Sequence, residues 1–266
     1  MKQTTRITFI IILFFLAPTL NADEGHGGID GKAVYVNVPE INTKLVPGVE
    51  NEIIFRMEDE KGWPLDISAF EVVHTQPIHV VILDTNYKDY HHVHPTQIAE
   101  GEYRFDFTPS ENCAYKMWID VTPVGGKQIF IPVNLNSNKS CNGKIDYFIN
   151  KKANVNDYEF TLQDDKPLKV GDDAMIDIVV KKDGKPVDSL EPVMGAYSHM
   201  IGFYDDFNTI AHAHPVGKEP TSKSQRGGPN LAFHLQPEKA GYLRLYVQIQ
   251  IEGEDYYAPF GINVLK

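Results

Sequence analysis

Apolar residues in this chain recur at every second position in short runs, without helical spacing. Such runs fall at 34–38, 53–57, 78–83, 103–107, 115–121 and 129–135. They return at 158–162, 175–180, 199–204, 231–235, 242–251 and 257–264. Turns rich in Gly, Pro, Asn and Asp, such as Asp183-Gly184, separate the runs, as expected between antiparallel strands. Past the first 22 residues no stretch keeps a helical period over three turns. About seven strands in roughly a hundred residues fit a β-sandwich.

The pattern occurs twice. Tyr35 and Gly48 are matched by Tyr158 and Gly171, and Gly62-Trp63-Pro64-Leu65 by Gly184-Lys185-Pro186-Val187. Phe105-Asp106-Phe107-Thr108-Pro109 corresponds to Phe233-His234-Leu235-Gln236-Pro237. The repeat unit is of ordinary domain size, roughly 105–110 residues. Two copies are too few for a solenoid or propeller, which need about three or more. The expected fold is therefore all-β: two tandem immunoglobulin-like sandwiches at 30–135 and 156–266, joined by a polar linker at 136–155.

The most specific repeat is chemical. His79, His92, His94 and Pro95 recur as His199, His212, His214 and Pro215, both with the spacing H-x12-H-x-H-P. Two histidines two apart on a strand leave the same face. A returning antiparallel strand brings them beside the first histidine, within the roughly 4.5–8 Å that cross-strand and diagonal neighbours span. Three imidazoles so placed can converge on one ion. Asp106 in the first copy and His234 in the second are candidate fourth ligands on a neighbouring strand. His74, five residues before His79, matches Met194, five before His199. Imidazole with carboxylate suits zinc or Cu(II), whereas imidazole with thioether leans to copper, so copper is the favoured cofactor and zinc the alternative. The competing reading is a hydrogen-bonded cluster of structural histidines, since duplication copies structural residues as faithfully as ligands.

Lys2 and Arg6, an apolar run at 7–17 and Leu20-Asn21-Ala22 make residues 1–22 a secretory signal peptide. The run is shorter than the roughly 20 apolar residues needed to span a bilayer. Export to the periplasm or the exterior follows. The formal charge of −11 becomes two units more negative when the leader is removed. Nucleic acid and anionic lipid are thus repelled, and no stable membrane insertion is expected after cleavage. Cys113 and Cys141 are the only cysteines, and in an exported chain they are expected to form one disulfide.

Three segments of the first repeat, Pro77-Ile78-His79, His92-Val93-His94-Pro95 and Gly101-Glu102-Tyr103, resemble the signatures of exported bacterial proteins with YtkA-like domains. Gly195-Ala196-Tyr197-Ser198-His199 and Ala211-His212-Ala213-His214-Pro215 fit a related form. The resemblance implies tandem immunoglobulin-like sandwiches and heavy-metal handling outside the cytoplasm. The function expected is a non-catalytic metal-binding protein acting as chaperone, buffer or carrier. Its partners would be a metal ion and a protein that donates or accepts it, with affinity falling as the histidines protonate near pH ~6. Two alternatives remain: a metalloenzyme with three histidine ligands, or an adhesin or carbohydrate-binding module whose surface uses Trp63, Trp118, Tyr256 and Tyr257. No G-x-S-x-G, phosphate-binding glycine loop or H-E-x-x-H supports an enzyme.

Overall fold

A computed structural model describes residues 24–27, 33–38, 45–135, 145–164 and 166–266. The expected leader at 1–22 and Cys141 lie outside these residues. The first domain holds β1 Glu24–Gly27, β2 Val34–Asn37, β3 Asn51–Glu58, β4 Ile78–Asp84, β5 Tyr90–Val93, β6 Thr96–Ala99, β7 Glu102–Phe107, β8 Tyr115–Val121 and β9 Ile129–Leu135. The second holds β10 Lys152–Val155, β11 Tyr158–Asp164, β12 Ala174–Lys182, β13 Lys185–Pro186, β14 His199–Tyr204, β15 Ile210–Val216, β16 Asn230–Leu235, β17 Gly241–Ile251 and β18 Glu254–Val264. Strand β10 occupies the last four residues of the expected linker.

All named strands pair antiparallel. In the first domain one sheet runs β1-β2-β3-β7-β6 and the other β5-β4-β8-β9. With β2 to β9 read as strands A, B, C, C′, D, E, F and G, these are the ABED and C′CFG sheets of an immunoglobulin-like sandwich. A tyrosine corner at the start of the F strand supports this: the Tyr115 hydroxyl accepts from the Glu111 backbone N–H at 2.9 Å. The second domain repeats the order as β10-β11-β12-β16-β15 and β15-β14-β17-β18. Here β15 belongs to both sheets, its first half pairing with β14 and its second with β16. In the first domain the corresponding strand is broken into β5 and β6, and His94-Pro95 sits at the break. In both copies the H-x-H-P motif therefore lies where the chain crosses from one sheet to the other.

Each domain has its own core. Phe55, Tyr103 and Met117 centre the first, and Phe160, Phe233 and Phe260 the second. A third cluster joins the domains, with Val81, Leu83, Tyr87, Tyr90 and Trp118 packed against Ile201, Phe203 and Tyr246. It explains why β4 and β14 are buried at every position. Val80 and Ile82 face the first domain's core, while Val81 and Leu83 face the neighbouring domain. The two C′CFG sheets thus pack face to face.

Directional bonds fix that packing. The Tyr87 hydroxyl donates to the Tyr204 carbonyl at 2.6 Å, and Trp118 Nε1 to the Asn208 carbonyl at 3.0 Å. Arg244, almost wholly buried, donates to the carbonyls of Tyr87 at 2.8 Å and Asp146 at 2.5 Å. Its guanidinium lies 3.9 Å from the centre of the Phe148 ring, a cation–π contact. The described end of the linker is docked as well: Asn150 exchanges backbone and side-chain bonds with Gly261 at 3.1 and 2.7 Å. A side chain at Gly261 would collide with the Phe148 carbonyl, so only glycine lets the linker lie here. No helix among the described residues is long and apolar enough to cross a membrane.

Candidate metal centre

The strand register places the histidines. Val80 pairs with Val93 and Val81 with His92, which sets His94 level with His79. All three leave the face that carries Val81, the face turned to the other domain. In the second domain Met200 pairs with Ala213 and Ile201 with His212, so His199, His212 and His214 face back across the same seam. Neither triad is an edge feature of a lone domain.

A tight turn precedes β4 and another precedes β14. Val73 and Gln76 exchange backbone bonds at 3.0 and 3.1 Å around His74 (φ 49°) and Thr75 (φ 70°). Val193 and Ala196 do so at 2.8 and 3.1 Å around Met194 (φ 49°) and Gly195 (φ 81°). Two successive left-handed residues define the type I′ turn, which normally takes Asn or Gly. The turn tips meet: a Cβ placed on Gly195 would lie 3.7 Å from Thr75 Cγ2. Each tip reaches into the other domain's triad, carrying Met194 in one direction and His74 in the other.

The first triad is assembled. His79 Nδ1 lies 3.2 Å from His92 Nε2 and 3.1 Å from His94 Nε2, and Met194 Sδ is 3.2 Å from His94 Nε2. A tetrahedral ion with bonds of about 2.0 Å holds its nitrogens about 3.3 Å apart, so this spacing is that of a coordination shell. The outer ring atoms decide which nitrogens carry lone pairs. His79 Nε2–H donates to the Val73 carbonyl at 2.9 Å, leaving Nδ1 unprotonated in the neutral ring. His92 Nδ1–H donates to Gln248 Oε1 at 3.0 Å, leaving Nε2 unprotonated. Two lone pairs therefore face each other at hydrogen-bond distance. His94 can donate one proton between them, and one acceptor is still left over. A cation satisfies all of them, and the outer hydrogen bonds are the kind that orient metal-ligating histidines.

Burial tunes the same groups. Loss of water holds His79 below the usual imidazole range and His92 well below it, and neighbouring imidazoles push His92 further. His94 is lowered to about 4, by burial first and then by His79. These rings therefore stay neutral below the pH ~6 that free histidines would set. Asp120, opposite His79 in the sheet, is raised to about 7 by burial against a lowering bond from Gln128.

The second triad is looser. His199 Nε2–H donates to the Val193 carbonyl at 3.0 Å, reproducing the lock on His79. The His212 and His214 rings lie 4.7 Å apart, and the His74 ring lies 4.9 Å from His199 and 5.9 Å from His212. Among the described residues only His79, His92 and His94 bring three such ligand atoms within 4.8 Å of one another. Both triads border a single cavity of about 30 Å³, lined by His79, His92, Met194, His199, His212 and Gln248 among others. That is room for about two water-sized spheres.

The fourth ligands expected from the sequence sit elsewhere. Asp106 is exposed on β7 opposite Glu52, because β7 belongs to the sheet away from the seam. His234 pairs in register with His214, but its Nε2 is held by Asp173 at the surface. Met194 Sδ instead stands beside His94, in the first domain's triad rather than its own. Sequence reasoning missed Gln248 and Asp120; they are equivalent positions, opposite His199 and His79 respectively, and nothing in their residue types marks them. Cys113 is buried and no described cysteine is free.

Fold and seam together define a tandem immunoglobulin-like protein whose two domains share one histidine-lined interface. The chain belongs to the family described as domain of unknown function DUF8832, which matches residues 29–139 and again 153–266. No curated protein matches it. Among solved structures it is similar to the D00-D0 domain of intimin, at 11% identity over 88% of this chain and 100% of that one, with a TM-score of 0.23. It is also similar to a Salmonella alpha-2-macroglobulin variant, at 12% identity over 95% of this chain and a TM-score of 0.25. The alpha-2-macroglobulin of E. coli in its native conformation follows, at 10% identity over 87% of this chain and a TM-score of 0.25. The chain spans 15% and 16% of the lengths of those two macroglobulins.

Proposed function

We propose that this protein is an exported copper-binding protein that holds the ion in the seam between its domains and serves as chaperone, buffer or carrier. One observation carries the reading: His79 Nδ1, His92 Nε2, His94 Nε2 and Met194 Sδ stand at coordination spacing, with the lone pairs of His79 and His92 turned on each other. Three imidazoles and a thioether form a neutral, partly soft donor set, which favours copper, and Cu(I) in particular, over zinc. The same resemblance to YtkA-like signatures supports metal handling outside the cytoplasm, and residues 1–22 supply the export signal. A Cys113–Cys141 bridge belongs to this reading, since an exported fold with two cysteines would close them oxidatively.

Competition with a chromophoric Cu(I) chelator tests the site in the mature chain. Wild-type protein should withdraw one tightly held equivalent, and His92→Ala should lose most of that affinity. X-ray absorption at the copper edge should resolve nitrogen scatterers plus one sulfur, the sulfur disappearing in Met194→Leu. Copper uptake that is the same in wild type, His79→Ala and His92→Ala would discard the assignment.

A further inference from the structure

The second triad differs from the first in its fourth donor, in its exposure and in how closely its rings cluster. His74 occupies the turn position in the first domain that Met194 occupies in the second, with the same backbone φ of 49°. It crosses the seam as Met194 does, in the opposite direction, and lies between the two clusters: its ring is 4.9 Å from that of His199 and 6.3 Å from that of His79. His199 is locked by the Val193 carbonyl so that Nδ1 keeps its lone pair. His212 Nδ1 is buried without any hydrogen-bond partner, in contrast to its counterpart His92 Nδ1, which Gln248 satisfies. Buried polar atoms are nearly always paired, so the orphan nitrogen marks a ring, next to those of His74 and His214, that the protein alone leaves unsatisfied. His214 is exposed, where its counterpart His94 is half-buried.

We infer that His74, His199, His212 and His214 form a second ion site of all-nitrogen donors, adjacent to the first, that takes Cu(II) or zinc in preference to Cu(I) and exchanges it with solvent. Four imidazoles without a thioether suit the borderline divalent ions. Asp120, which lines the shared cavity at the position Gln248 holds in the other repeat, adds a carboxylate that a divalent ion attracts more strongly than a monovalent one. The donor nitrogens stand farther apart than those of the first cluster, so binding must rotate the rings of His212 and His214. That reorganisation costs affinity, and the exposure of His214 opens a route. The seam then holds a preorganised soft site and an adaptable harder one beside it. The inference rests on the reading of the first cluster as a metal site, but on different residues.

Full-length mature protein titrated with Zn(II) and Cu(II) decides the matter. Wild type already loaded with one equivalent of Cu(I) should take up one further equivalent of Zn(II), more weakly and with fast exchange. His74→Ala and His214→Ala should each weaken that second equivalent at least about tenfold, the scale on which supporting groups change metal affinity, and leave the Cu(I) equivalent in place. His214 is exposed, so its variant should keep the fold, which far-ultraviolet circular dichroism checks. His74→Met should convert the donor set to that of the first site, so that a second equivalent of Cu(I) is retained. If Cu(I)-loaded protein takes up no Zn(II) or Cu(II), or if His74→Ala and His214→Ala bind it as wild type does, the second site is overturned while the first stands. If wild type binds neither Cu(I) nor a divalent ion, both fail together.

Discussion

Two backbone carbonyls and one amide side chain settle which nitrogens of His79, His199 and His92 are free. Val73 holds His79 by Nε2–H, Val193 holds His199 the same way, and Gln248 holds His92 by Nδ1–H from the opposite domain. Gln248→Leu therefore leaves every ligand in place but frees the His92 ring to turn and to change tautomer. We expect Cu(I) affinity to fall roughly 10–100-fold, the range for orienting partners, with the rest of the shell still seen by X-ray absorption. An unchanged affinity would mean that packing alone orients His92. The same burial has a pH consequence for the metal-free protein. His94 and His199 are lowered to about 4 and His212 to about 3, each by burial first. Their unfolded-state values lie near 6.5, so between pH ~6.5 and ~4 the unfolded chain binds more protons than the folded one. Stability contributed by these neutral rings is present above pH ~6.5 and lost as pH falls towards 4, at up to roughly 1.4 kcal/mol per pH unit for each group that titrates. Urea midpoints of the apo-protein should decline across that window, and copper should delay the decline, because a bound ion competes with the protons. A flat apo profile from pH 7 to 4 would contradict the burial that the seam imposes.

At the scale of elements the type I′ turns are where local preference is overruled. Thr75 is β-branched yet sits at φ 70°, a region such side chains avoid. Strain of this kind persists where surrounding structure demands it, and here the turn must carry His74 across the seam. Thr75→Asn should accordingly raise the apo-protein's unfolding free energy by roughly 1 kcal/mol in chemical denaturation, Asn tolerating the left-handed conformation. No gain would show that Thr75 is relaxed where it stands. The strands themselves were legible: alternation located β2 to β4 and their repeats to within a few residues, because one face of each meets a core. The triad spacing was legible too, because a hairpin's period places His79, His92 and His94 on one face and sends His91 to the other, beside Asp89 and Phe107. What alternation could not give was the partner of that face. Seven consecutive buried positions in β4, Ile78–Asp84, are the signal of a strand covered on both sides, but an isolated run of that length cannot name what covers it. Asp106 and His234 stand out as candidate fourth ligands in the sequence for the same reason: within one domain the neighbouring strand is the nearest source of a donor. The side chain that arrives, Met194, is 100 residues away from His94 in sequence.

For the whole molecule, the proposed function would make metal affinity a property of domain packing. Met194 and Gln248 belong to the second domain and His79, His92 and His94 to the first, so the first site exists only while the two sheets stay in register. Phe203 lies at the heart of the interdomain cluster, with ring centres 5.0 Å from Trp118 and 5.8 Å from Tyr90, and it ligates nothing. Phe55 is as deeply buried but sits within the first domain's own core, stacked on Tyr103 at 5.5 Å. Phe203→Leu and Phe55→Leu remove the same ring from equally dry surroundings. Each should cost a comparable amount of stability, roughly 1–3 kcal/mol in urea, as apolar shape changes in packed interiors do. Their effects on copper should part. Loosening the seam lets the Met194 turn and Gln248 withdraw from the triad, so Phe203→Leu should weaken Cu(I) binding severalfold or more. Phe55→Leu should leave Cu(I) binding near wild type, because β4 and β5 still present their histidines to an intact partner face. Equal copper affinity in the two variants, measured by the same chelator competition under conditions where both are fully folded, would show that the first domain's hairpin holds the ion without help from the second.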